Sequence, residues 1–304
     1  MSDLDGDVML DASTATDPES WFARMQEIGA DSGWLKPVGA SHRALYIDNS
    51  ATLLVTFDNY EAARHRPKQL PVGTGLADEC DWSQLCILSQ GPSWYRDRAI
   101  HAYFDRLVDE GFFDDYDRVL FYGAGPSGHA AAAYSVCAPG ARVLLLNPVA
   151  TLLPEIAGWD SRHRKARRLD FTSRFGYAPD MVDGARQVTV IRDPASAPDA
   201  MHAALFHGPH VQHMTARHGG TDLETTFDRL GILNHLIAAG MDGRLTPSRF
   251  GTLWRRRRDD QSWLRSLQAA VAPHPSREAM LCRNVVSRLK LNRFRRRLSE
   301  LTPG

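Results

Sequence analysis

Six residues near the middle of the chain, Gly123-Ala-Gly-Pro-Ser-Gly128, have the composition and spacing of a turn that offers backbone N–H groups to a reacting or bound group. An apolar run, Arg118-Val-Leu-Phe-Tyr, precedes them and an Ala-rich stretch, 127–137, follows, so the segment reads as strand, glycine turn and helix. Such a helix start carries unpaired N–H groups and a partial positive charge, which suits an anion or an oxyanion. Pro126 favours the first helical position and thereby places Gly125 at the cap, the apex of the turn.

Two frames fit these residues. Gly123, Gly125 and Gly128 spell G-x-G-x-x-G, the dinucleotide fingerprint, which would make the chain an FAD- or NAD(P)-dependent oxidoreductase. That fingerprint opens the first βαβ unit of its domain and is followed about 20 residues on by an acidic residue for the ribose. Here strand-like runs precede it, and the next strand ends in Leu146-Asn147-Pro148 without a carboxylate. The second frame is a G-x-S-x-G-G nucleophile elbow whose apical serine is replaced by Gly125. A glycine cannot attack a carbonyl, so this frame predicts weak or absent esterase-type hydrolysis, with the N–H groups of Ala124 and Gly125 left to hold an anion. Ser127 falls in the first helical turn, where capping is its expected role and catalysis the alternative.

The groups that would work with an elbow lie downstream. Asp193 follows the run Gln187-Val-Thr-Val-Ile, Asp199 comes six residues later, and His218 stands between the run ending at Thr215 and Gly219-Gly220. Asp then His, in that order, is the order of acid and base in this kind of site, and either Asp193 or Asp199 is a candidate orienter of His218. The histidines at 202, 207, 210, 213 and 218 lack metal-ligand spacing, so no metal or other cofactor is expected. Arg162 and Arg164, in the basic run 162–168, could reach an anion at the turn or form a solvated face.

The elements that must position these groups alternate. After an acidic, aperiodic start (1–16) expected to be disordered, Asp17 and Pro18 open a helix with Trp21, Phe22, Met25 and Ile28 on one face. Ala44-Leu-Tyr-Ile and Thr52-Leu-Leu-Val-Thr-Phe read as a hairpin. Strand at 84–88, helix at 96–112, the elbow unit, strand at 142–146, an irregular insertion at 148–185, strand at 187–191, helix at 198–206, strand at 210–215 and a long helix at 222–239 follow. This spacing predicts a doubly wound, mostly parallel α/β sheet over 41–242, flanked by an N-terminal segment (1–40) and a helical appendage (243–304). The net charge of zero hides an asymmetry: residues 251–304 carry 13 Lys and Arg against 4 Asp and Glu. Charge complementarity predicts that the appendage docks on the acidic body; an anionic surface or an acidic partner is the alternative, and no nucleic-acid motif accompanies the charge. The absence of a long apolar run or a signal-peptide pattern makes the cytoplasm the expected location, and the four scattered cysteines are expected to be reduced.

With Trp94-Tyr95, Gly123-Ala-Gly-Pro-Ser-Gly128, Asn147-Pro148, Ala150-Thr-Leu-Leu-Pro and Trp159-Asp-Ser-Arg in these positions, residues 44–236 resemble a branch of α/β-hydrolase-fold proteins found with bacterial glycan and accessory-secretion systems. The resemblance implies an α/β-hydrolase-like sheet with a degenerate elbow, a pseudoenzyme candidate for a small, anionic or acylated ligand. A non-enzymatic interaction protein working through its basic C-terminal helices is a further alternative. A phosphoadenosine phosphosulfate reductase is not supported, because the S-G-G-x-D-S loop and the E-C-G-[IL]-H signature are both missing.

Overall fold

The computed structural model describes residues 10–302, and the first nine residues of the expected disordered start lie outside that range. Residues 10–16 belong to the packed body: Ala12 and Ala15 are buried, and the Ala12 N–H donates to the Lys68 carbonyl at 2.9 Å. The expectation of disorder therefore fails there, since small apolar side chains fill a gap beside the first helix. That helix, α1 (Pro18–Ser32), starts where proline and cap predict, with Ser20 N–H donating to Asp17 Oδ1 at 2.8 Å.

Three strands follow, β1 (Gly33–Val38), β2 (His42–Ile47) and β3 (Thr52–Asn59), then α2 (Tyr60–Arg64) and α3 (Thr74–Glu79). The central part comprises β4 (Ser83–Ser89), α4 (Arg98–Asp109), β5 (Arg118–Ala124), α5 (Gly125–Tyr134), β6 (Arg142–Leu146) and the short α6 (Pro154–Ala157) within the insertion. The remainder is β7 (Gln187–Arg192), α7 (Ala197–Leu205), β8 (Val211–Thr215), α8 (Leu223–Arg229), α9 (Leu233–Met241), α10 (Pro247–Trp254), α11 (Gln261–Val271), α12 (Pro275–Leu289) and α13 (Asn292–Leu301).

All eight strands form one sheet in the order β1-β2-β4-β3-β5-β6-β7-β8, antiparallel at β1-β2 and β2-β4 and parallel elsewhere. The sheet is doubly wound and mostly parallel, with the glycine turn after the central strand β5. The expected hairpin between 44–47 and 52–57 does not form, because β4 inserts between β2 and β3. The strand β1 was not expected: it is the edge strand, where Pro37 is tolerated and burial does not alternate. The long helix expected over 222–239 is two, broken at Gly231 with φ +62°.

Strand periodicity splits the core into two layers. Val119, Phe121, Val143 and Leu145 face α4, α5 and α7, while Leu120, Tyr122, Leu144 and Leu146 face α3, α8 and α9. The Ala-rich composition of α5 has a packing reason, since Ala130, Ala131, Ala132 and Ala133 lie fully inside the first layer and let the helix sit close to the sheet. On the second face, Phe250, Trp254, Trp263, Leu264, Cys282, Val285 and Phe294 continue the same apolar layer, so the appendage is docked on the body by hydrophobic contact. Arg256 of the appendage adds a hydrogen bond to that docking, its Nη1 donating to the Gly231 carbonyl at 2.6 Å. Ion pairs cross the junction from Arg229 of the body to Asp260 of the appendage at 2.5 Å and from Arg244 to Asp242 at 3.8 Å, while Arg288–Asp259 and Arg297–Glu278 are internal to the appendage. Among the described residues no helix is long and apolar enough to cross a membrane.

Candidate functional site

The crevice that matters is set by topology. The chain leaves β3 through α2 and α3 toward one face of the sheet and leaves the neighbouring β5 through α5 toward the other. The carboxyl ends of β3 and β5, at Asn59 and Ala124, thus flank the switch point of the sheet, the position at which open α/β sheets bind ligands.

At this point the three glycines of the turn differ in what they do. A Cβ on Gly123 would lie 2.2 Å from the Ser127 carbonyl oxygen, and one on Gly128 would lie 3.2 Å from the Gly123 oxygen and 3.3 Å from Pro148 Cα. These two are glycines because β5 and α5 approach closely. Gly125 adopts φ +52°, yet a Cβ there would meet nothing within 4 Å. It occupies a left-handed apex that glycine adopts without strain, with open space where a side chain would project. Ser127 lies within the first turn of α5, its half-buried hydroxyl 3.5 Å from the Tyr95 hydroxyl.

Backbone strain gathers along this edge. Trp94 and Tyr95 after β4, Gly125 after β5, Asn147 after β6 and His218 after β8 all have positive φ. Four of these are not glycine, and such conformations cost about 1–3 kcal/mol each, persisting only where their surroundings enforce them. Asn147 and Asp193 do the enforcing on one side. Asn147 Nδ2 donates to the Gly220 and Thr221 carbonyls, each at 3.1 Å, and its Oδ1 accepts the Asp193 N–H at 3.1 Å. The buried Asp193 carboxylate accepts N–H groups from Ala195 and Gly220 at 2.9 Å and from His218 at 3.1 Å. Asp193 therefore fixes the His218 loop through its main chain. The His218 side chain lines a cavity of about 250 Å³ with Asp193, Arg229, Ser262 and Trp263, so helix α11 of the appendage forms one wall around it. Asn147 is also the residue a dinucleotide frame would turn toward a ribose, and its amide is committed to neighbouring loops.

The other anticipated residues are placed elsewhere. Asp199, on α7, accepts Arg162 Nη1 at 2.6 Å and does not meet His218. Arg162 also forks onto the fully buried Asp160, with Nε at 3.0 Å and Nη2 at 2.8 Å, and Asp160 accepts His202 Nε2 at 3.0 Å. This cluster pins the 148–185 insertion to α7, and Arg162 is spent within it; Arg164 is exposed on the same segment. Arginine hydrogen bonds hold the Asp160 carboxyl well below the usual carboxylate range against the opposing effect of its burial. His129, fully buried one turn into α5, donates Nδ1–H to the Val149 carbonyl at 3.2 Å, and burial pushes its pKa down to about 3. His210 and His213 bond the Val182 and Phe206 carbonyls through Nε2, at 3.1 and 2.9 Å.

A polar chain beside the crevice was not anticipated. Tyr122, on β5, donates to Glu224 Oε1 at 2.6 Å; Arg66 Nη2 lies 3.3 Å from Glu224 Oε2, and Arg66 Nη1 bonds Asp58, which also accepts the Val72 N–H at 2.8 Å. Arg66 and Glu224 line a cavity of about 810 Å³ that runs from Asn59 past Val72 to Leu233. Burial raises the Glu224 carboxyl despite the nearby guanidinium. In sequence these residues are a strand end, a strand tyrosine, a loop cation and a helix start, with Arg66 and Glu224 alone 158 positions apart and no local spacing to connect them.

No known family matches the sequence, and no curated protein resembles it significantly. Solved structures are similar in fold. A thermostable carboxylesterase, EstE1, cloned from a metagenomic library is 13% identical with a TM-score of 0.46, covering 77% of this chain and 99% of that one. The esterase domain of a Rhodothermus marinus protein is 13% identical with a TM-score of 0.42, covering 66% and 92%. The capsule O-acetyltransferase of Neisseria meningitidis serogroup A is 11% identical with a TM-score of 0.41, covering 64% and 91%.

Proposed function

We propose that the protein binds a small anionic or acylated ligand at the carboxyl edge of its α/β-hydrolase-like sheet and hydrolyses it weakly or not at all. The observation that carries this reading is Gly125, left-handed as an elbow apex would be, open above its Cα and without a nucleophile. The N–H groups at the start of α5 supply anion stabilisation, because the helix dipole and unpaired donors converge there. His218, held by Asp193, would act as base in any residual reaction, with the hydroxyl of water as the only nucleophile it could activate in place of a serine. Committed to Asp160 and Asp199, Arg162 shapes the insertion over the edge and does not contact the ligand; Arg164 remains available from the same segment.

The reading is tested with p-nitrophenyl acetate on the wild type, Ser127→Ala and Gly125→Ser. Wild type and Ser127→Ala are expected at the uncatalysed rate, and Gly125→Ser above it. Wild-type turnover abolished by Ser127→Ala would make Ser127 the nucleophile and overturn the reading.

A further inference from the structure

The opposite, amino edge of the sheet carries a feature that the elbow does not use. Three neighbouring parallel strands each begin with or directly follow an arginine: Arg118 opens β5, Arg142 opens β6, and Arg186 precedes β7. Register brings the last two together, since Arg142 pairs with Gln187 across β6 and β7, and adjacent strands lie only about 4.8 Å apart. Arg142 and Arg186 line a cavity of about 420 Å³ with Gln187, Pro209, His210, Val211, Gln212 and Gly243. No carboxylate is among these residues. The nearest acid, Asp242, is engaged by Arg118 at 3.2 Å and Arg244 at 3.8 Å, and neither Arg142 nor Arg186 makes an ion pair among the described residues.

One guanidinium N–H of Arg142 is committed, donating from Nη1 to the Met241 carbonyl at the end of α9 at 3.1 Å. The rest of the group lies against the backbone at Gly243, where φ is +67° and a Cβ would come within 2.8 Å of Arg142 Nε. A side chain there would push the guanidinium away, so the glycine keeps it in place. Gln212 contributes shape and not donors, its amide being spent on Thr189 Oγ1 at 2.7 Å and the Leu245 carbonyl at 2.8 Å. His210 uses Nε2 on Val182, which leaves its Nδ1 free. Burial, with the charges of Arg186 and Arg118 beside it, depresses the Arg142 pKa, and Asp242 opposes this only in part.

We propose that this cavity is a second binding site, for a phosphate-type dianion or pyrophosphate group gripped by Arg142 and Arg186. Guanidinium forks match such oxyanions, and the repulsion between them is relieved when the anion enters. The site lies at the opposite edge of the sheet from Gly125 and stands independently of the proposed function.

Calorimetric titration with inorganic phosphate and with pyrophosphate, at low ionic strength in a buffer free of both, tests it. Pyrophosphate is expected to bind more tightly than phosphate, and Arg142→Gln or Arg186→Gln to weaken either by about 10-fold or more, the loss expected for one charged hydrogen-bonding partner. Arg186 is exposed, so its variant folds even if Arg142→Gln loosens the end of α9. Arg255→Gln, an exposed control on the appendage, is expected to leave both affinities unchanged. Equal affinity in wild type and both cavity variants, or an equal loss in the Arg255 control, would overturn the proposal by showing binding elsewhere or diffuse attraction.

Discussion

Alanine at Gly123 and alanine at Gly125 separate packing from backbone strain within one turn. At Gly123 the new Cβ would sit 2.2 Å from the Ser127 oxygen, 2.4 Å from its carbonyl carbon and 2.7 Å from the Gly128 nitrogen. All three are backbone atoms of the first turn of α5, so relief requires moving the helix start away from β5 by about 1 Å. Overpacking that displaces backbone costs about 3 kcal/mol or more, minus at most about 1 kcal/mol gained by restricting the unfolded chain. At Gly125 the Cβ meets nothing, and the cost is that of a left-handed conformation, about 1 kcal/mol. With roughly 2.1 cal/mol/K of unfolding entropy per residue, a loss of 3 kcal/mol lowers the Tm of this 304-residue chain by about 5 °C. Urea denaturation and differential scanning calorimetry of the two variants measure both. Equal destabilisation by the two alanines, or a milder effect at Gly123, would refute the claim that Gly123 is required by close approach and Gly125 is not.

Other perturbations follow from the same contacts. The unfolded chain protonates His129 near the ordinary value of 6.5, while the folded protein resists protonation down to about 3, so its contribution to stability is present above pH 6.5 and is lost as pH falls between those values. In urea melts across pH 6 to 4, His129→Gln is expected to remove up to one proton from the linkage, about 1.4 kcal/mol per pH unit; an unchanged slope would contradict the assignment. Arg162→Met strands two buried carboxylates and is expected to cost about 3 kcal/mol at pH 7. Because Asp160 is held below its ordinary value of 3.8, that deficit should shrink as pH drops below about 4. Tyr122→Phe removes a donor from Glu224, lowering stability by about 1 kcal/mol and raising the Glu224 pKa further in a carboxyl NMR titration.

The parts of this fold legible in sequence are those encoded locally. The strand at 118–124, the proline at the helix start and the Asp17 cap each state their own geometry within a few residues, and the alternation of β and α units leads directly to a mostly parallel sheet. Strand order is non-local, and β4 inserting between β2 and β3 leaves no local mark, which is why 44–57 reads as a hairpin. Edge strand β1 leaves both Lys36 and Pro37 exposed, so its burial does not alternate, and Pro37 itself argues against a strand. Of the candidate site, the order Asp193 then His218 was visible. That Asp193 grips main-chain N–H groups, or that Asp199 belongs to Arg162, depends on side-chain directions that spacing does not specify. The Asp58, Arg66, Tyr122 and Glu224 chain is assembled from separate elements and exists only once the sheet has formed. The basic appendage was expected to dock on the body, and it does so through aromatic and aliphatic residues such as Trp263, Leu264 and Val285 that are visible in its sequence.

An elbow with an empty apex at Gly125 offers no serine to a fluorophosphonate, which labelling followed by peptide mapping checks. No adduct is expected on wild type or Ser127→Ala, whereas Gly125→Ser should carry one on residue 125 and lose it when His218→Ala is added. An adduct on Ser127 of the wild type would contradict the empty apex, as would failure of a folded Gly125→Ser variant to be labelled at residue 125.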